Sequence, residues 1–181
     1  PPQHPNEPVV GSVRCVSETG ATLDEPISIK YLKRFVADHE LALHKAPEYT
    51  VKPSKKTGKV AIIGAGPAGV TCAFHLAGGG HQVTIYERLG EPGGMSAMGI
   101  PDYRLPRPIL RGEVEQIQKM GVEIKYNTKI GADIMLADVI DGHDAVFIWV
   151  GAQGSSSMRV KRDDDGYKGF IPGVQYLLDI N

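Results

Sequence analysis

The 181-residue sequence predicts a doubly wound α/β domain with a parallel sheet, preceded by a short helical segment. Three observations carry that expectation. Short apolar runs at Val60–Ile63, Val83–Tyr86, Val122–Tyr126 and Asp144–Val150 alternate with stretches whose apolar residues recur at helical spacing. The first run leads directly into a glycine turn, Gly64-Ala65-Gly66-Pro67-Ala68-Gly69, that opens a helix. The second run closes on an acid, Glu87. Strands that alternate with helices build parallel sheets, because parallel neighbours need a crossover, and ligands then lie at the carboxyl ends of the strands.

Taken in order, Pro1 to about Asp24 is Pro, Gly, Ser, Thr and charge without sustained period, and reads as irregular. Cys15 within it is either a metal or cluster ligand or a plain small side chain. From Pro26 to Leu43 the residues Ile29, Leu32, Phe35, Val36 and His39 or Leu43 fall at helical spacing, with Asp24 or Glu25 as N-terminal chemistry. The apolar stripe of this helix needs a cover, either the α/β domain or an adjoining subunit or domain. Pro47 and Pro53 interrupt residues 46–58 and Lys52, Lys55 and Lys56 favour solvent, so this stretch is a linker. The expected organisation is therefore residues 1–45 as a helical segment, 46–58 as linker and 59–181 as the α/β domain.

Within that domain the helix from about Ala68 to Ala77 stops at Gly78-Gly79-Gly80, and Cys72 sits where it packs on the sheet as an inert thiol. Gly93 and Gly94 permit a second close approach of backbone to ligand. Pro101, Pro106 and Pro108 stiffen the next loop around Arg104, a guanidinium suited to a phosphate or a surface arginine in a proline-rich turn. Leu110, Val114, Ile117 and Met120 mark a further helix stopped by Gly121. Trp149 falls inside the fourth apolar run and is expected in the core. Asp163, Asp164 and Asp165 read as a solvated loop or a cation site, and Gly173–Ile180 as a last short helix.

Composition narrows the function. Lys and Arg total 20 against 21 Asp and Glu, so no overall field draws the chain to nucleic acid or an anionic membrane. Two cysteines make no disulfide framework, which together with the lack of a signal-like segment or membrane-spanning apolar run points to a reducing, cytoplasmic setting. The chain begins at Pro1 without a methionine and is expected to be a piece of something longer.

The glycine turn has the chemistry of a dinucleotide site. Gly64 allows the tight turn, Gly66 lets backbone approach a pyrophosphate, and Gly69 lets helix and sheet pack closely. The helix N-terminus faces the phosphates, and Pro67 fits its first turn. Glu87, about twenty residues on, is placed to accept hydrogen bonds from a ribose. The competing explanation is a glycine-rich turn of an unrelated α/β domain.

GAGPAG at Gly64–Gly69, Glu87, PGGM at Pro92–Met95 and GIPDYRLP at Gly99–Pro106 resemble the FAD-binding domain of the glutamate synthase small-subunit family of NADPH-dependent oxidoreductases. The similarity extends to PISIKYLKRFVAD and DAVFIWVGA. The resemblance implies a Rossmann-like flavoprotein domain in which Gly64, Ala65, Gly66, Pro67, Ala68 and Gly69 hold the FAD pyrophosphate and Glu87 the adenosine ribose. It further implies that Arg88, Gly94 and Met95 line the cofactor, that Arg104 contacts it and that Ile130 lies near the adenine. No catalytic acid, base or nucleophile is assigned.

Two departures qualify the resemblance. The HPNE segment has Asn6 where family members place a cysteine, so no iron–sulfur cluster and no metal are expected within this chain. The NADPH-binding domain of the family would follow about where the chain ends, so NADPH is expected to reach the flavin through a domain absent from it. The leading expectation is electron transfer from NADPH through FAD to an iron–sulfur or other acceptor, with adjoining domains or a partner subunit. The alternatives are a non-catalytic nucleotide-binding or subunit-interaction module and an NAD-binding dehydrogenase domain.

Overall fold

The computed structural model describes residues 28–43, 51, 57–156 and 168–180. The expectations for Asn6, Cys15, the start of the first helix, most of the linker and Asp163–Asp165 lie outside these residues. The chain divides into two compact units, residues 1–47 and 48–181.

In the first unit, helix α1 spans Ile29–Ala42, the body of the predicted helix. Arg34 and Asp38 pair across one of its turns at 3.4 Å.

In the second unit the chain runs through β1 (Lys59–Ile63), α2 (Pro67–Gly78), β2 (Gln82–Tyr86), α3 (Met95–Met98), α4 (Arg107–Lys119), β3 (Glu123–Lys125), α5 (Leu136–Asp141), β4 (Ala145–Ile148) and α6 (Gly173–Ile180). The strands pair in the order β3-β2-β1-β4 and every pairing is parallel. Val60 is in register with Val83 on one side and Ala145 on the other, so the central strand β1 delivers its end between those of β2 and β4.

Both faces of the sheet are covered, which is why its central strands read as continuous apolar runs. On one face Ile62, Val83 and Ile85 meet Ala73 and Ala77 of α2 and Val122, with Ile117 and Met120 packed against them. Gly69, Ala73 and Ala77 recur every fourth residue of α2 and are all buried, so this helix lies close on β1. On the other face Ala61 and Tyr86 meet Val139 of α5, flanked by Ile130, Ile134 and Val146. Cys72 packs at the margin of the first cluster, and burial pushes its thiol pKa up, in keeping with an inert thiol.

Trp149 departs from expectation. Strand β4 ends at Ile148, and Trp149 lies beyond it, 57% exposed and stacked on Phe147 at 6.1 Å between ring centroids. The reason is position: β4 is one of the two edge strands among the described residues, so its apolar side chains lack a neighbour on one flank. Helices α3 and α5, each too short for a readable helical period, were not anticipated.

Candidate functional site

The site is built where β1, β2 and β4 end. Gly64 leaves β1 with φ +105°, and a Cβ there would lie 2.6 Å from the Trp149 carbonyl oxygen. Only glycine meets both conditions without strain. Its N–H donates to the Tyr86 carbonyl at 2.9 Å, tying the turn to the end of β2. Gly69 lies so close beneath the turn that an added Cβ would overlap the Gly64 carbonyl oxygen.

Gly66 is different. Its backbone is extended (φ −72°), and an added Cβ would meet nothing nearer than the Gly94 Cα at 4.0 Å. The space beside it is open, where Gly64 and Gly69 are walled by backbone. Helix α2 starts at the next residue, with Pro67 in its first turn and no side chain capping its N-terminus. Its first-turn N–H groups and the positive end of its dipole are thus available to an anion beside Gly66.

A second glycine pair closes on this turn. Gly93 (φ +108°) donates its N–H to the Ala65 carbonyl at 2.8 Å, and Gly94 (φ +51°) abuts Gly66 so closely that a Cβ would lie 3.0 Å from the Gly66 Cα. Met95 follows as the first residue of α3.

Glu87 is buried at 4% exposure just past β2. Its Oε2 accepts the Ala65 N–H at 2.7 Å and its Oε1 the Leu89 N–H at 2.9 Å. The carboxylate is thus anchored to the glycine turn itself, each oxygen retaining capacity for a further hydrogen bond. Burial, with smaller contributions from Glu91, Glu87 and Glu115, pushes the nearby Tyr126 hydroxyl pKa up.

Beside these groups lies a cleft of about 310 Å³, lined by Gly64, Glu87, Arg88, Ile130, Lys129 and Gln153 among others. Four residues expected at the site, Gly64, Glu87, Arg88 and Ile130, therefore share one cavity. Arg88 donates through Nη2 to Gln153 Oε1 and so links the end of β2 to the loop after β4. Lys129 and Gln153 were not singled out from the sequence, because only the sheet order brings their loops beside Glu87. Arg104 and Met95 are not in this lining: Arg104 is exposed in the turn 101–105, its N–H donating to the Pro101 carbonyl at 2.9 Å. No cluster of metal-ligating side chains occurs among the described residues.

Residues 62–108, which hold this turn, match the NAD(P)-binding Rossmann-like domain family. The chain is 46% identical to the β subunit of the NADP(+)-dependent formate dehydrogenase of Moorella thermoacetica, over 88% of this chain and 25% of that subunit. It is 48% identical to the β subunit of the NADPH-Fe(3+) oxidoreductase of Geobacter sulfurreducens, over 87% and 24%. It is 41% identical to the PreT subunit of the NAD-dependent dihydropyrimidine dehydrogenase of Escherichia coli, over 81% and 35%. The chain thus spans about a quarter of the length of the first two relatives.

Among solved structures, a 2-naphthoyl-CoA reductase superposes with a TM-score of 0.51 at 30% identity, over 70% of this chain and 19% of that one. FprA of Mycobacterium tuberculosis in complex with NADPH superposes at 0.57 with 21% identity, over 68% and 28%, a likeness of fold. Over the segment that it spans, the chain is thus a Rossmann-like α/β domain homologous to part of NADPH-dependent oxidoreductase β subunits, which form a glutamate synthase small-subunit-like family.

Proposed function

We propose that residues 59–181 are the first part of an FAD-binding domain within an NADPH-dependent oxidoreductase, joined through a linker at 46–58 to a helical segment at 1–45. The observation that carries this reading is the open space beside Gly66, bordered by the uncapped start of α2 and by Gly94, with the Glu87 cleft adjoining. A cradle that a Cβ would fill, next to free N–H donors, fits a pyrophosphate. An anchored carboxylate beside an apolar side chain such as Ile130 fits a ribose and its base.

In this reading Gly64 to Gly69 hold the pyrophosphate, Glu87 orients the ribose, Arg88 and Ile130 border the adenosine, and Gly94, Met95 and Arg104 flank the remainder. FAD supplies, when bound, the hydride-accepting and electron-releasing chemistry; the protein supplies position and electrostatics. The whole protein would carry electrons from NADPH to an iron–sulfur or other acceptor in an adjoining domain or partner subunit, in the cytoplasm. The names of the relatives, which speak of NADP(+), NADPH and β subunits, support this assignment.

Titration of the chain with FAD, read by quenching of flavin fluorescence, tests it. Saturable binding weakened by Glu87→Ala and by Arg104→Ala is expected. A colourless chain that takes up no FAD yet binds a partner subunit would replace the reading with a subunit-interaction module.

A further inference from the structure

Three side chains on one face of α4, at positions 107, 110 and 111, all reach back to the stretch 91–96 that contains the second glycine pair. The Arg107 Nη1 donates to the Ser96 carbonyl at 3.2 Å, beyond the pair. Arg111 grips Glu91 with two bonds, Nε to Oε2 at 3.0 Å and Nη2 to Oε1 at 2.7 Å, before the pair. Between them Leu110 lies flush on Gly93, where a Cβ would come within 2.5 Å of its Cδ2. Spacings of three and four residues place all three side chains on one stripe of the helix.

The helix is itself tied to the GIPDYRLP loop, since Asp102 Oδ1 accepts the Arg107 N–H at 2.9 Å and puts a negative charge at the start of α4. Arg107 also leaves Nη2 buried with no hydrogen-bond partner among the described residues. An unsatisfied buried donor is costly, and a guanidinium with no task would turn to solvent instead.

We propose that α4 is a clamp that holds Gly93 and Gly94 against the Gly64–Gly69 turn, with Arg107 and Arg111 as positioning residues for the dinucleotide site. Gly94 touches Gly66 at the open cradle, so release of the 91–96 stretch would reshape the site without removing any group proposed to touch a ligand. The inference rests on the dinucleotide reading for what the clamp serves, but the clamp itself is visible without ligand.

Amide hydrogen exchange at Gly93, Ala97 and Met98 in the whole chain is the test, because the Gly93 N–H bonds the Ala65 carbonyl of the turn and the Ala97 and Met98 N–H groups bond the Gly94 carbonyl of the clamped stretch. Arg111→Glu and Glu91→Arg are each expected to speed exchange at these amides by about tenfold, and the double charge swap to restore it. Arg107→Met is expected to do the same, and Arg107→Lys, which keeps a donor for Ser96, to act less. Affinity for FAD is expected to fall and recover in the same variants. Unchanged exchange in Arg107→Met and Arg111→Glu, or an equal rise in β1 and β2, would overturn the clamp. Local exchange that moves as stated in a chain that binds no FAD would support the clamp and defeat the FAD assignment instead.

Discussion

The two ends of the sheet differ in a way that cavity size does not convey. At the amino ends of the strands lies the larger hollow, about 510 Å³, lined by Thr57, Lys59, Gln82, Asp141, His143 and Asp144. At the carboxyl ends the cleft is about 310 Å³. Yet at the amino end the backbone donors are already used: Gly58 N–H bonds the His81 Nδ1 at 3.1 Å, Lys59 N–H the Asp144 Oδ2 at 2.7 Å and Gln82 N–H the Gly58 carbonyl at 3.0 Å. At the carboxyl end the first turn of α2 is uncapped and the space beside Gly66 is open. A recognition site is marked by donors held in place without partners, and the carboxyl end has them, at the start of α2 next to the smaller cavity.

The comparison is broken most severely at Gly69. Gly69→Ala is expected to cost about 3 kcal/mol or more in urea unfolding, because its methyl would overlap backbone that has no rotamer to yield. Gly58→Ala at the opposite end meets only the Asp144 side chain at 3.3 Å and is expected to cost less than about 1 kcal/mol. Glu87→Ala strands the Ala65 N–H in a buried place and is expected to cost about 1–3 kcal/mol while weakening FAD binding.

Gly66→Ala sharpens the contrast within the turn. Its Cβ has room, so stability should stay within about 0.5 kcal/mol of the parent, whereas FAD affinity should fall by about tenfold as the cradle fills. Equal loss of stability in Gly66→Ala and Gly69→Ala would erase the distinction between a binding glycine and a packing glycine. The smallest effect belongs to Cys72. Burial raises its pKa above the ordinary 9.0, so the native thiol should begin to react with iodoacetamide at a higher pH than the urea-unfolded chain. The fold thereby holds the neutral thiol, and what stability this adds is present below the unfolded pKa and lost as pH rises through the folded one.

Most of the fold was legible because local and tertiary preferences agree along it. The turn residues Gly64, Gly66 and Gly69 play three different geometric parts, and each follows from its place between strand and helix. Gly173–Ile180 was read from residue pattern alone, and α6 has the same bounds. The fold class was likewise readable, because alternation of strand and helix leaves few topologies. What was not legible depends on neighbours distant in sequence. Trp149 looks like core in an apolar run, and its exposure follows from the edge place of β4. Lys129 and Gln153 join the cleft because their loops follow β3 and β4 in a sheet ordered β3-β2-β1-β4. The grip of Arg107 and Arg111 needs the angle at which α4 crosses the loop, which no spacing encodes.

The contact beneath the turn has a consequence for how this domain can change by mutation. The atom that bars any side chain at position 69 is the carbonyl oxygen of residue 64, and every amino acid carries one. No replacement at 64 can therefore make room, and no single side chain elsewhere can be trimmed to do so. In a saturation screen Gly69 should have few accepted substitutions and no second-site suppressors, whereas Gly93, obstructed mainly by the Leu110 side chain, should gain some tolerance when Leu110 is made smaller, within the limit its positive φ imposes.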